Sequence, residues 1–143
     1  MKILVINGPN INMLGIREKD IYGSLNYKTL CERLNKLSYE LKVDLDIYQS
    51  NVEGEIINTI QEAYEVYDGI VINPGAYTHY SYAIYDALKA VSIPTVEVHI
   101  SNVNAREEFR KTSITAPACI GQISGFGIDS YVLGLKGLIN KLN

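Results

Sequence analysis

Excess basic charge, abundant cysteine and long apolar runs are all missing from this sequence. Thirteen Lys and Arg against sixteen Asp and Glu leave a formal charge of −3. That argues against nucleic acid as the main partner, because phosphate binding needs a basic face. The only two cysteines, Cys31 and Cys119, fall in stretches that read as helix and strand. This favours buried thiols in a reducing compartment over a disulfide. No apolar run approaches the roughly 20 residues of a membrane span. The apolar start, residues 1–6, is too short for a signal peptide and stops at Asn7-Gly8-Pro9. The G-x-G-x-x-G of dinucleotide sites and the G-K-[ST] of phosphate loops are absent. No set of Cys, Asp, Glu and His has metal-ligand spacing. The expectation is a cytoplasmic, soluble protein with no metal and no nucleic-acid or membrane partner.

What is present is an ordinary globular composition, 47% hydrophobic and 20% charged over 143 residues. That suffices for one domain, residues 1–143, with a real core. Residues 2–6 form a nearly continuous apolar run, as in a strand covered on both faces. Leu30, Leu34, Leu37 and Leu41 fall at helical spacing, predicting an amphipathic helix over 27–41. Val43, Leu45 and Ile47 alternate with Asp44, Asp46 and Tyr48, the pattern of a strand near a sheet edge. Ser50-Asn51-Val52-Glu53 matches a capping box and predicts a helix start. Further strands are expected at 69–72, 95–100 and 118–123, with helices over 81–91, 105–111 and 128–142. Five strands alternating with helices predict a three-layer α/β/α sandwich, flavodoxin-like, with parallel strand order 2-1-3-4-5. In such sheets ligands bind beyond the carboxyl ends of the strands, at the switch point between strands 1 and 3.

Three segments leave those strand ends. After strand 1 comes a long stretch, residues 7–26, of a length that is usually functional or disordered. Asn7 and Asn12 within it are as easily explained by turn chemistry as by ligand binding. After strand 3, Asn73 ends the strand and His79 precedes a helix, whose dipole favours a neutral, hydrogen-bonding imidazole. On strand 4, Glu97 and His99 are two apart and so share a face, where the carboxylate can fix the imidazole tautomer. Backbone N–H groups near Ser101 could hold a carboxylate. Arg106 and Arg110 are four apart and could face one site from a single helix.

Taken together, these segments resemble the type II 3-dehydroquinate dehydratases. The most specific matches are Gly8-Pro9-Asn10-x-Asn12-x-Leu14-Gly15-x-Arg17 and Ile21-Tyr22-Gly23. Next come Asn73-Pro74-Gly75-Ala76-Tyr77-Thr78-His79, Glu97-Val98-His99-Ile100-Ser101-Asn102 and Ala105-Arg106-Glu107-Glu108-Phe109-Arg110. The resemblance covers essentially the whole chain. It implies a cofactor-free hydro-lyase that converts 3-dehydroquinate to 3-dehydroshikimate by anti elimination through an enolate, a step of the shikimate pathway. It implies Tyr22 as the base, His99 as the acid, Arg17 as the essential loop cation and Asn10 as an enolate stabiliser acting through water. Substrate ligands fall on Asn73, His79, Ile100, Ser101 and Arg110, with Asn12, Gly75, Glu97 and Arg106 in support. It also implies trimers packed into a dodecamer, with Asp86 reaching the site of a neighbouring subunit. Tyr85 stands where an arginine is frequent, which bears on the subunit interface.

The chemistry explains why an arginine must accompany the tyrosine. An unperturbed Tyr titrates near pKa ~10, and bringing it near neutrality takes roughly 4 kcal/mol in favour of the anion. Burial works the other way, so a nearby cation must win. Arg17 is the best placed, Arg106 a second choice. Gly15 and Gly23 bracket the segment, which suggests a lid that excludes water. The rival reading is a flavodoxin-like nucleotide-binding or signalling module without activity. The stretch after strand 1 lacks the hydroxyl-rich phosphate loop that a flavin module needs, and a phospho-receiver would want an Asp at Asn73.

Overall fold

Every residue of β1 (Lys2–Asn7) from Ile3 onward is buried, and successive strand side chains point to opposite faces. Both faces of this strand must therefore be covered. They are covered in the computed structural model, which describes residues 1–16 and 25–143. The other strands are β2 (Asp44–Gln49), β3 (Gly69–Asn73), β4 (Thr95–His99) and β5 (Gly121–Ser124). All pair in parallel in the order β2-β1-β3-β4-β5, the flavodoxin-like arrangement the sequence predicts.

The helices are α1 (Tyr27–Leu41), α2 (Glu53–Glu62), α3 (Tyr82–Val91) and α4 (Asp129–Leu142). Ile3, Val5, Val71, Val96 and Val98 pack with residues of α1 and α4. Leu4, Ile6, Ile70 and Ile72 pack with residues of α2 and α3. Leu30, Leu34 and Leu37 of α1 are buried, each worth about 1.5–3 kcal/mol relative to exposure. On β2, Asp44 and Asp46 are exposed and Leu45 and Ile47 half-buried, as suits an edge strand.

Three boundaries differ from expectation. The capping box sits at α1, where the Asn26 side chain accepts from Thr29 N–H and the Thr29 hydroxyl from Asn26 N–H. Ser50 instead accepts from the Val52 N–H at 2.9 Å and donates to Glu55, so α2 begins at Glu53 without a side-chain cap. The helix expected over 105–111 is two short 3-10 turns, Val103–Ala105 and Glu108–Lys111. The Asn102 side chain takes the Asn104 N–H, offering the backbone an alternative to a helix, and Arg106 between the turns is extended. Strand β5 starts at Gly121 rather than 118, because residues 116–118 form a turn around Pro117. Cys31 and Cys119 are free thiols, half-buried rather than fully buried. Among the described residues no helix is long and apolar enough to cross a membrane.

Candidate active site

Parallel register brings the strand ends level. Asn7 pairs with both Gln49 and Asn73, and the segments that follow β1, β3 and β4 surround a concavity of about 530 Å³ including its open mouth. Pro9, Asn10, Ile11 and Leu14 line it from the first segment, and Asn73, Gly75 and His79 from the second. His99, Ile100, Ser101, Val103 and Arg110 complete it.

The first two segments touch so closely that side chains are excluded between them. Gly8 N–H donates to the Asn73 carbonyl at 2.7 Å. A Cβ on Gly8 would lie 2.5 Å from the Pro74 oxygen, and one on Gly75, at φ +59, would lie 3.0 Å from the Pro9 oxygen. Asn10 is also left-handed at φ 69, a conformation asparagine tolerates. Its N–H donates to Asn51 Oδ1 at 3.0 Å. Gln49, at the end of β2, extends its amide to the Gly8 carbonyl at 3.2 Å and to Asn12 Oδ1 at 3.3 Å. Asn12 thus braces the loop.

On β4, Glu97 and His99 share a face and meet at 3.0 Å between Oε2 and Nε2. A carboxylate oxygen accepts, so Nε2 carries the hydrogen and Nδ1 remains for a ligand. Glu97 is fully buried. Thr78, Ser113, Thr115 and Gln122 also donate to it. Burial pushes this carboxyl up, but the hydrogen bond and charge of His99, with Thr115 and Ser113, outweigh it and hold the group below its ordinary value. Glu97 is therefore an anion whose charge His99 can balance when doubly protonated.

His79 donates from Nδ1 to the Thr112 carbonyl at 2.8 Å and meets the Phe109 ring edge-on at 5.7 Å. Burial lowers its pKa, against the opposing effect of the Thr112 carbonyl. It is a neutral imidazole with Nε2 as an acceptor. Arg106 donates to the Ser101 hydroxyl at 3.2 Å, which turns the serine proton away from the arginine. Arg110 pairs with Glu107 and lies over the Phe109 ring at 4.7 Å.

Of the residues singled out in the sequence, Asn10, Asn73, Gly75, His79, His99, Ile100, Ser101 and Arg110 line one concavity. Glu97 and Arg106 stand behind them, and Asn12, exposed, bonds to the Gln49 amide that also meets the Gly8 carbonyl. Asp86 is exposed on α3 and is not part of this lining. Arg17 and Tyr22, with the lid expected around them, lie outside the described residues. Sequence reasoning missed Gln49 and Asn51, although their place at a strand end was a usable signal. It also missed Ser113, Thr115, Gln122 and Tyr131, which carry no motif, and Thr78, which lies within the matched segment 73–79 but was given no role.

The profile of the family described as Dehydroquinase class II matches residues 1–139. A Clostridium acetobutylicum protein named 3-dehydroquinate dehydratase is 62% identical over 143 residues, covering 100% of this chain and 99% of the relative. One of the same name from Caldicellulosiruptor saccharolyticus is 67% identical over 138 residues, covering 96% and 95%. The crystal structure of type II dehydroquinase from Butyrivibrio crossotus superposes with a TM-score of 0.96 at 60% identity, covering 97% of each chain. The chain belongs to the class II dehydroquinase family.

Proposed function

We infer that this protein catalyses the dehydration of 3-dehydroquinate to 3-dehydroshikimate, a type II hydro-lyase reaction. The observation that carries it is the Glu97–His99 pair opening on the concavity between the strand-end loops. This sits in a chain alike over its whole length to proteins named for that activity. The reaction removes a proton α to a ketone, passes through an enolate and expels a β-hydroxyl. It calls for a base, a cradle for the enolate oxygen and an acid.

His99 suits the acid: a proton leaves Nδ1 for the departing hydroxyl, and Nε2–H stays on Glu97, so the pair needs no rearrangement. Neutral His79 accepts from a substrate hydroxyl, and the Ser101 hydroxyl and Arg110 receive the carboxylate. We assign the base to Tyr22, its activating cation to Arg17 and enolate stabilisation through water to Asn10, on the sequence resemblance. We also place a second copy of the chain beside the site, contributing Asp86, within a homo-oligomer that we take to be a dodecamer built from trimers.

The test is direct. Addition of 3-dehydroquinate to the purified protein should produce the ultraviolet absorbance of a conjugated enone. Activity should survive a chelator and borohydride, since neither a metal nor a Schiff base is required. Absence of the enone signal would overturn the reading. Arg17→Ala should cut turnover far more than it weakens substrate binding, and should raise the kinetic pKa of the base, moving the acidic limb of the rate profile to higher pH.

A further inference from the structure

Beneath the concavity lies a chain of hydrogen bonds whose direction is fixed by one backbone group. Gly75 N–H points at the Asn73 amide oxygen, Oδ1, at 3.1 Å. A backbone N–H can only donate, so this atom is the oxygen and the other end of the amide is Nδ2. Nδ2 then donates to the Tyr131 hydroxyl at 2.9 Å, and that hydroxyl, already an acceptor, donates to Asn7 Oδ1 at 2.6 Å. Asn7 and Tyr131 are fully buried and Asn73 is 2% exposed. The chain joins the carboxyl ends of β1 and β3 through a residue of α4, directly at the switch point of the sheet.

An asparagine amide offers two N–H donors and two acceptor lone pairs. Gly75 and Tyr131 occupy one of each, so Asn73 retains one N–H and one lone pair for the concavity it lines. We propose that Tyr131 is a positioning residue for the reaction, its hydroxyl setting the Asn73 amide so that the remaining N–H meets a substrate oxygen. The assignment rests on the dehydratase reading. The competing explanation is that Tyr131 only fills the core between α1 and the sheet.

Tyr131→Phe separates the two, since it keeps the ring and removes the hydroxyl. KM for 3-dehydroquinate should rise about 10-fold with kcat within about threefold, the scale of one lost orienting hydrogen bond. In an Asn73→Ala background the same change should alter KM less than about twofold, because nothing remains to position. An equal rise in both backgrounds, or a lower Tm with unchanged KM, would overturn the proposal. A second measurement needs no folded variant. In the wild-type protein, labelled with ¹⁵N, one Asn73 side-chain proton should exchange slowly and ignore added 3-dehydroshikimate, while its partner shifts. Two protons that both ignore ligand would also overturn it. A wild type without turnover would count against the dehydratase reading alone, since slow exchange of the proton held by Tyr131 is still measurable.

Discussion

His79 and His99 are the chain's only two histidines, and their neighbours demand opposite tautomers. The Thr112 carbonyl and the Glu97 carboxylate both accept, placing hydrogen on His79 Nδ1 and on His99 Nε2. Two-bond ¹⁵N NMR spectra at neutral pH should show the Nδ1–H form for His79 and hydrogen on Nε2 for His99. Exchanged patterns would contradict the assignment of roles. His79 binds its proton more weakly folded than unfolded. It therefore contributes stability that is complete above its ordinary pKa of ~6.5 and is lost as pH falls through the folded value. Glu97, held below its ordinary value, likewise contributes stability above the usual carboxylate range and loses it in acid. Glu97→Gln places an amide N–H among donors. We expect kcat to drop about 100-fold with little change in KM, the scale of general-acid catalysis, and a shallower loss of stability below about pH 4 by denaturant titration. The Glu97–His99 pair was legible because two residues apart on a strand means one face. The hydroxyls that hold Glu97 were not, since Thr78, Ser113 and Thr115 are 16 to 19 residues away in the chain.

Elements were readable where a periodic apolar pattern repeats over several turns, as in α1, and were misread where side chains capture backbone groups. Between β4 and β5 the chain is governed by Asn102 and Pro117, local interactions that a periodicity argument does not weigh. That irregular stretch is nonetheless an organising one. Thr112 supplies the carbonyl for His79, and Ser113 and Thr115 supply hydroxyls for the carboxylate that holds His99. The opposite wall depends on the contact between the loops after β1 and β3. Gly8→Ala would force its new Cβ against the Pro74 carbonyl, a backbone obstacle that cannot turn aside. The loops must part, displacing Asn10 and Asn73 together. Because a misplacement of ~1 Å costs roughly 100-fold in rate, kcat/KM should fall by at least that factor while circular dichroism still reports the α/β fold. Wild-type activity in this variant would show that the two loops need not touch.

At the scale of the whole molecule, the buried strands β1, β3 and β4 take the interior of the sheet and the more exposed β2 and β5 its edges, and the order β2-β1-β3-β4-β5 creates the switch point where the concavity opens. One proposed participant lies elsewhere: Asp86 is exposed on α3, and no α3 residue lines the concavity among the described residues. Its placement across a subunit boundary predicts a result that no single-chain role can give. His99→Ala disables a subunit's own site, whereas Asp86→Ala disables the site of its neighbour. Co-expressed with different tags and purified as mixed assemblies, the two inactive variants should regain activity. Wherever an Asp86→Ala subunit receives the neighbour's intact Asp86 beside its own His99, one site is whole. For random mixing in a cyclic assembly, about a quarter of the sites are complete, so activity should recover to roughly that share of wild type. Mixed assemblies no more active than the two parents would place Asp86 outside the neighbouring site. Light scattering on the same samples would report the assembly size independently of turnover.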